Sequence, residues 1–262
     1  MRGPFVVLSS AALFARPLAA TFALAAECGY TGVEVMVTKD PASQEPATMR
    51  ALADEHGLRI SAIHAPALLL TRSVWGTDPI GKIDMATRVA RAAEIPLVVM
   101  HPPYRWQHGY RRWLRESLPS VEDRTGITVA IENMFPLHLG SKPLMVHANQ
   151  DLDQLAGIPH LVLDTSHAAV ARHDLIEVRR LFGERLRHVH LSDNAGKGWD
   201  SHLPPGEGVL DLDAFLSDLA ASDFAGVVSL EVDLRKRTAD PGALRALLIS
   251  MRERVEAALV AR

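Results

Sequence analysis

A single cysteine, Cys28, among 262 residues excludes an intramolecular disulfide framework and any metal site built on thiolates. Cys28 falls in an apolar helical pattern and reads as a small core residue, which suits a reducing, cytoplasmic compartment. Basic residues are not in excess: 28 Lys and Arg against 31 Asp and Glu leave 28 − 31 = −3, so a nucleic-acid partner is not expected. The body of the chain lacks the run of about 18 uncharged apolar residues that would mark a membrane span. Low-complexity tracts, Gly/Ser linkers and blocks of like charge are also missing. What remains is 48% apolar and 23% charged residues, the balance of a globular chain with a substantial core. Arg2, the run Phe5-Val6-Val7-Leu8 and the Ala-rich stretch to Ala26 have the outline of a secretory leader. We read them instead as a first strand and first helix, because the architecture below needs both.

One unit recurs: a short β-rich apolar run, a polar residue, a loop, then a helical stretch. The runs are Phe5–Ser9, Val33–Val37, Arg59–His64, Leu97–His101, Ile127–Glu132, Leu161–Asp164, Leu186–Leu191 and Gly226–Val232. Val, Ile and Leu dominate them, as in parallel strands covered on both faces. The helical stretches are Pro17–Cys28, Pro46–His56, Asp78–Ala93, Tyr110–Arg124, Asp151–Ala156, Asp174–Phe182, Asp211–Ser222 and Pro241–Ala261, with Gly29, Gly57 and Gly183 placed as left-handed caps. Eight such units predict a single α/β domain over residues 1–262, a (β/α)8 TIM barrel. A doubly wound sheet would want a glycine-rich loop after its first strand, and Ser9-Ser10-Ala11-Ala12 is not one. Helix-to-strand links are short and strand-to-helix loops long. The long loops therefore gather at the C-terminal face of the strands, where barrel active sites lie.

Six consecutive strands end in or near a metal-capable residue: His64, His101, Glu132, Asp164 with His167, His190, and Glu231. The loop after strand seven adds Asp200 and His202. Clustered carboxylates and imidazoles in a buried mouth call for a neutralising cation. Five His, two Asp and two Glu without Cys suit Zn, Mn or Fe better than Mg or Ca. His188, two residues before His190, reads as a core histidine one layer deeper. Trp75, Trp106 and Trp199 fall in active-face loops, placed either to stack on a substrate ring or to pack the loops. Lys142, in the loop after strand five, is a candidate for a substrate phosphate. Gly206 and Gly208 read as turn residues. His56, His108, His147 and His160 carry no pattern.

The chain resembles the xylose isomerase-like barrel superfamily, which holds sugar isomerases, sugar 3-epimerases and endonuclease IV. The resemblance spans nearly the whole chain. It rests on Gly29-Tyr30-Thr31-Gly32-Val33-Glu34-Val35, His64-Ala65-Pro66, Ile131-Glu132-Asn133-Met134, Asp164-Thr165-Ser166-His167, His190-Leu191-Ser192-Asp193-Asn194 and Asp200-Ser201-His202-Leu203-Pro204-Pro205-Gly206-Glu207-Gly208. It implies one divalent ion, Zn or Mn, held by Glu132, Asp164, His190 and Glu231. It also implies Glu132 and Glu231 as an acid/base pair that moves a proton next to a carbonyl through a metal-stabilised enediolate. Endonuclease IV holds three zinc ions, and its additional ligands match His64, His101, His167, Asp200 and His202. Ser9-Ser10 replaces the Gly-His that opens that enzyme, its DNA-inserting loops find no match, and the net charge is negative. The expected activity is therefore a metal-dependent sugar or sugar-phosphate isomerase or epimerase, with a multi-zinc phosphoester hydrolase as the alternative. Its partner would be a small carbohydrate or phosphoester, and no membrane is involved; the sequence leaves the oligomeric state open.

Overall fold

The computed structural model describes residues 4–14, 16–66, 71, 73–139, 142–148 and 152–260, with backbone only at 138, 139, 142 and 143. Eight parallel strands close into a barrel: β1 (Phe5–Ser9), β2 (Gly32–Met36), β3 (Arg59–His64), β4 (Leu97–Met100), β5 (Thr128–Glu132), β8 (Leu161–Asp164), β9 (Leu186–Leu191) and β10 (Val227–Leu230). Their order around the wall is β1-β10-β9-β8-β5-β4-β3-β2. Strand β1 pairs with both β10 and β2, so Phe5–Ser9 is a barrel strand, as the sequence reading required. Among the described residues no helix is long and apolar enough to cross a membrane.

Nine helices surround the barrel among the described residues: α1 (Leu18–Glu27), α2 (Pro46–His56), α3 (Pro79–Ala92), α4 (His108–Glu116), α5 (Leu118–Thr125), α6 (Thr165–Val170), α7 (Leu175–Phe182), α8 (Leu212–Ala220) and α9 (Pro241–Val260). Three differ from expectation. The stretch Tyr110–Arg124 is two helices, because Pro119 cannot continue α4 but fits the first turn of α5. The helix expected over Asp151–Ala156 is a short 3-10 turn, Leu152–Leu155. Helix α6 was not anticipated; it starts directly on the last residue of β8, whose Asp164 side chain caps it by accepting from the His167 N–H at 2.7 Å. An antiparallel hairpin, β6 (Leu137–Leu139) with β7 (Lys142–Leu144), also lies inside the loop after β5. Gly57 is a left-handed cap (φ +64°, ψ +29°), whereas Gly183 has positive φ but ψ −133° and closes α7 differently.

The barrel interior is layered by the strand period of two. Ala62, Leu97, Val99, Ala130 and Val162 form an apolar plug of their own, separate from the main core between strands and helices. Two residues further along the same strands come His64, His101, Glu132 and Asp164. Strand β9 departs from this pattern: His188, level with Val162 in the register, already brings an imidazole into the plug layer, and His190 follows level with Asp164. The polar mouth therefore reaches one layer deeper on one side. Cys28 is buried in the main core.

The loop after β9 carries Asp200 and His202 and is held by one carboxylate. Asp193 accepts four backbone N–H groups: Asn194 at 2.8 Å, Leu210 at 3.0 Å, Gly206 at 3.0 Å and Gly208 at 2.9 Å. Gly208 must be glycine for this approach, since a Cβ would collide with the Asp193 carboxylate and the Asn194 carbonyl. Asp193→Ala leaves these donors without their acceptor in a buried turn. We expect a loss of at least about 2 kcal/mol in urea unfolding, with Asp193→Asn intermediate; an unchanged midpoint would show that water satisfies the turn.

Candidate metal centre

Glu34, the middle residue of β2, is fully buried inside the barrel. Its two oxygens meet His188 Nε2 at 2.9 Å and His190 Nε2 at 3.0 Å. Burial alone would raise the Glu34 pKa, but His190 and His188 outweigh it and hold the carboxyl well below the usual range. A carboxylate only accepts, so both Nε2 atoms carry protons. This fixes the outward nitrogen of His190, Nδ1, toward the mouth.

Three carboxylates converge on that nitrogen. Glu231 Oε2 lies 2.8 Å from it, Glu132 Oε1 3.1 Å and Asp164 Oδ2 3.9 Å. One ligand atom from each of Glu132, Asp164, His190 and Glu231 falls within 4.8 Å of the others. Glu231 Oε2, Asp164 Oδ2 and Glu132 Oε2 are buried without a hydrogen-bond partner. A lone pair on Nδ1 facing these oxygens would be repulsive, so the cluster demands a positive charge. Without a metal, a second proton on His190 supplies it: burial disfavours that proton, but Glu231, Glu34 and Glu132 hold its pKa well above the ordinary value. Burial pushes the Asp164 carboxyl up to about 6. Four closely spaced nitrogen and oxygen donors, partly orphaned, could hold a divalent metal ion.

Two flanking groups share residues with this tetrad. Toward β3 and β4, His64 Nε2 and His101 Nε2 approach the other oxygen of Glu132, Oε2, at 3.4 and 3.2 Å. Toward α6, Asp164, His167 and His202 form a further set within 4.8 Å. Asp200 ties that set together: its Oδ2 meets His202 Nε2 at 2.7 Å and His167 Nε2 at 3.3 Å, and Oδ1 accepts from Ser166 Oγ at 2.6 Å. Burial disfavours protonated His202, yet Asp200 and Asp164 raise its pKa to about 10. The structure thus brings all nine residues expected at the mouth into one contiguous polar cluster.

The proposed ring-binding residues diverge. Trp106 is exposed, stacks on Tyr104 at 4.8 Å and lines a cavity of about 380 Å³ with His101 and His147. Trp75, partly buried, packs against the main core. Trp199 is exposed, and its backbone carbonyl accepts from Asn194 Nδ2 at 3.0 Å. The side chain of Lys142 lies outside the described residues. Sequence reasoning missed two residues. Glu34 was legible only as part of a Gly-Val-Glu motif, because its role depends on β2 and β9 facing each other across the barrel. His147, in the loop after β7, sets its ring edge-on to His101 at 6.4 Å between centroids; no spacing in the chain announces that.

Residues 22–254 match the family described as the xylose isomerase-like TIM barrel. An uncharacterized protein of Mycobacterium leprae is 35% identical over 246 residues, covering 87% of this chain and 88% of that protein; an uncharacterized protein of Mycobacterium tuberculosis shows the same identity and coverage. Among solved structures, a D-tagatose 3-epimerase-like protein superposes with a TM-score of 0.66 at 23% identity, over 96% of this chain and 99% of that one. An L-ribulose 3-epimerase gives 0.69 at 18% identity, over 98% and 94%. A family 2 AP endonuclease from Brucella melitensis gives 0.67 at 18% identity, over 90% and 97%. At these identities the superpositions establish the fold.

Metal that binds only the native chain stabilises it by mass action, by about 2.7 kcal/mol at 100 times its dissociation constant. For a chain of this size we expect the melting temperature to rise by roughly 5–10 °C when Zn²⁺ or Mn²⁺ is returned to chelated protein. Identical melting of the chelated and reloaded forms, with elemental analysis confirming complete removal, would contradict a tight site. Glu34→Gln, which replaces one acceptor of the imidazole N–H groups by a donor, should weaken metal retention about 10–100-fold in competition with a chelator.

Proposed function

Since the chain belongs to the xylose isomerase-like TIM-barrel family, we propose that it is a metal-dependent isomerase or epimerase of a sugar or sugar phosphate. The observation that carries the reading is the convergence of Glu132, Asp164 and Glu231 on Nδ1 of His190, with unpartnered carboxylate oxygens left over. Glu132, Asp164, His190 and Glu231 would hold the ion. When bound, it would polarise the oxygens of a hydroxy-carbonyl substrate and make the intervening C–H acidic.

The remaining work falls to the chain. Glu132 and Glu231 come from β5 and the end of β10, on either side of β8 and β9 in the wall. Two carboxylates so placed can take a proton from the carbon next to the carbonyl and return one to the opposite face or to the neighbouring atom, giving an epimer or an isomer. His190, held by Glu34, cannot turn away from the site. Tyr104, Trp106 and His147 form a stacked aromatic wall beside His101, an apolar surface suited to the carbon face of a sugar.

One feature favours a second reading, a phosphoester hydrolase with more than one ion. Glu132 Oε2 is unpartnered and faces His64 and His101, the arrangement a further ion would use. The third arm, Asp164, His167 and His202 with Asp200 beside them, gathers donors of the same kind.

The test is direct. Glu132→Gln and Glu231→Gln should each lower turnover on a responsive ketose by at least about a hundredfold, and the native protein should exchange solvent deuterium into the substrate carbon. Two or three metals per chain, together with phosphodiester cleavage that falls in His101→Ala, would install the hydrolase instead.

A further inference from the structure

Helix α4 turns two arginines, Arg111 and Arg115, toward the same side of the molecule, four residues apart. Arg105, in the loop before the helix, is pinned beside them by its N–H to the Val146 carbonyl at 2.9 Å. Together they line a cavity of about 350 Å³ with His147, Gln154 and Gly157. Among the described residues, no Asp or Glu lines it.

Other arginines of the chain are matched with carboxylates. Arg179 and Arg180 share Asp218, Arg235 meets Asp233, Arg237 meets Glu207, and Arg254 meets Asp213. On α4 itself, the outward Arg112 approaches Glu116 at 4.0 Å. Arg105, Arg111 and Arg115 have no ion pair among the described residues. Like charges four apart on a helix repel; Arg105 and Arg115 are exposed and Arg111 half-buried, so water screens part of that repulsion and an anion in the concavity would relieve the rest. Guanidinium groups present paired N–H donors that match the oxygens of a phosphate.

The cavity is also distinct from the metal centre. His147 forms the partition: it lines this cavity on one side and the cavity holding His101 on the other. Its Nδ1 is anchored to the Pro102 carbonyl at 3.0 Å and its ring stacks on Tyr104 at 4.5 Å.

We propose that Arg105, Arg111 and Arg115 form a binding site for the phosphate group of a small phosphorylated metabolite, separated from the metal mouth by His147. The site stands whether or not the reaction proposed above is the right one. One cavity on a chain of net charge −3 fits a small ligand better than a nucleic acid, which needs a track of basic residues.

The experiment is calorimetric titration of the full, metal-loaded chain with inorganic phosphate, ribose 5-phosphate and ribose. Four proteins are compared: native, Arg111→Ala, Arg115→Ala and the control Arg112→Ala. Ribose 5-phosphate should bind more tightly than inorganic phosphate. Its affinity should fall at least about tenfold in Arg111→Ala and Arg115→Ala, the scale of one lost charged hydrogen bond. Arg112→Ala should bind as the native chain does, and ribose should not distinguish the four proteins. Thermal melting of each variant without ligand checks that it is folded; should either alanine variant fail to fold, Arg111→Lys and Arg115→Lys keep the charge, lose the paired donors and should still weaken binding. Equal affinity in all folded variants would place the phosphate on the metal and overturn the proposal. So would inorganic phosphate binding more tightly than ribose 5-phosphate, no saturable binding up to about 10 mM, or a short DNA duplex binding through the same arginines more tightly than ribose 5-phosphate.

Discussion

A single buried carboxylate, Glu132, organises the mouth of this barrel. Four imidazoles surround it: His190 and His167 face one oxygen, His64 and His101 the other. Burial makes an isolated carboxylate costly, and here it would raise the pKa; His190 and His167 reverse that and hold Glu132 ionised. The negative charge is therefore permanent, and the histidines must answer it with protons or with a cation. Every other polar contact at the mouth is arranged around that obligation. Glu34 sets His190 from below, Asp164 and Glu231 crowd its outward nitrogen, and Asp200 answers His167 and His202 from the rim.

The backbone devices that hold these residues are economical because several side chains act twice. Asp164 caps α6 with one oxygen and leaves the other toward His190. Asn133, next to Glu132, exchanges two hydrogen bonds with the backbone of Asp164, at 2.7 and 3.1 Å, locking β5 to β8 where two candidate ligands leave the wall. Thr165 Oγ1 donates to the Ser192 carbonyl at 2.6 Å and accepts from its N–H at 3.0 Å, fixing β8 to β9 in the same way. Neighbouring strands are thus stitched just beyond the ligand layer.

Most of the architecture was legible because buried parallel strands announce themselves as short Val/Ile/Leu runs, and because the period of two places His64, His101, Glu132 and Asp164 at equivalent heights. The strand ends were readable to within a residue or two; His101 and Glu231 fall just past β4 and β10. What the chain does not announce are pairings across the barrel. Glu34 and His188 are 154 residues apart, and nothing local marks their contact. Helix α6 is hidden in the sequence because its cap, Asp164, also looks like a metal ligand, and the two roles are not exclusive. Pro119 is visible, yet the pattern on either side of it is helical, so the sequence shows no break between α4 and α5.

The two chemistries open to this family place different demands on the same residues, and the local electrostatics separates them. The arm built on Asp200 is closed: each of its oxygens meets a donor, and the raised pKa of His202 keeps that donor charged. The arm around His190 is open, with unpartnered oxygens on Asp164 and Glu231 facing one ring nitrogen. Cation affinity should therefore be strongest at the tetrad, weaker between His64 and His101, where only Glu132 contributes charge, and weakest at Asp200. The four donors of the tetrad and the outer histidines thus share one mouth but differ in how much negative charge surrounds each.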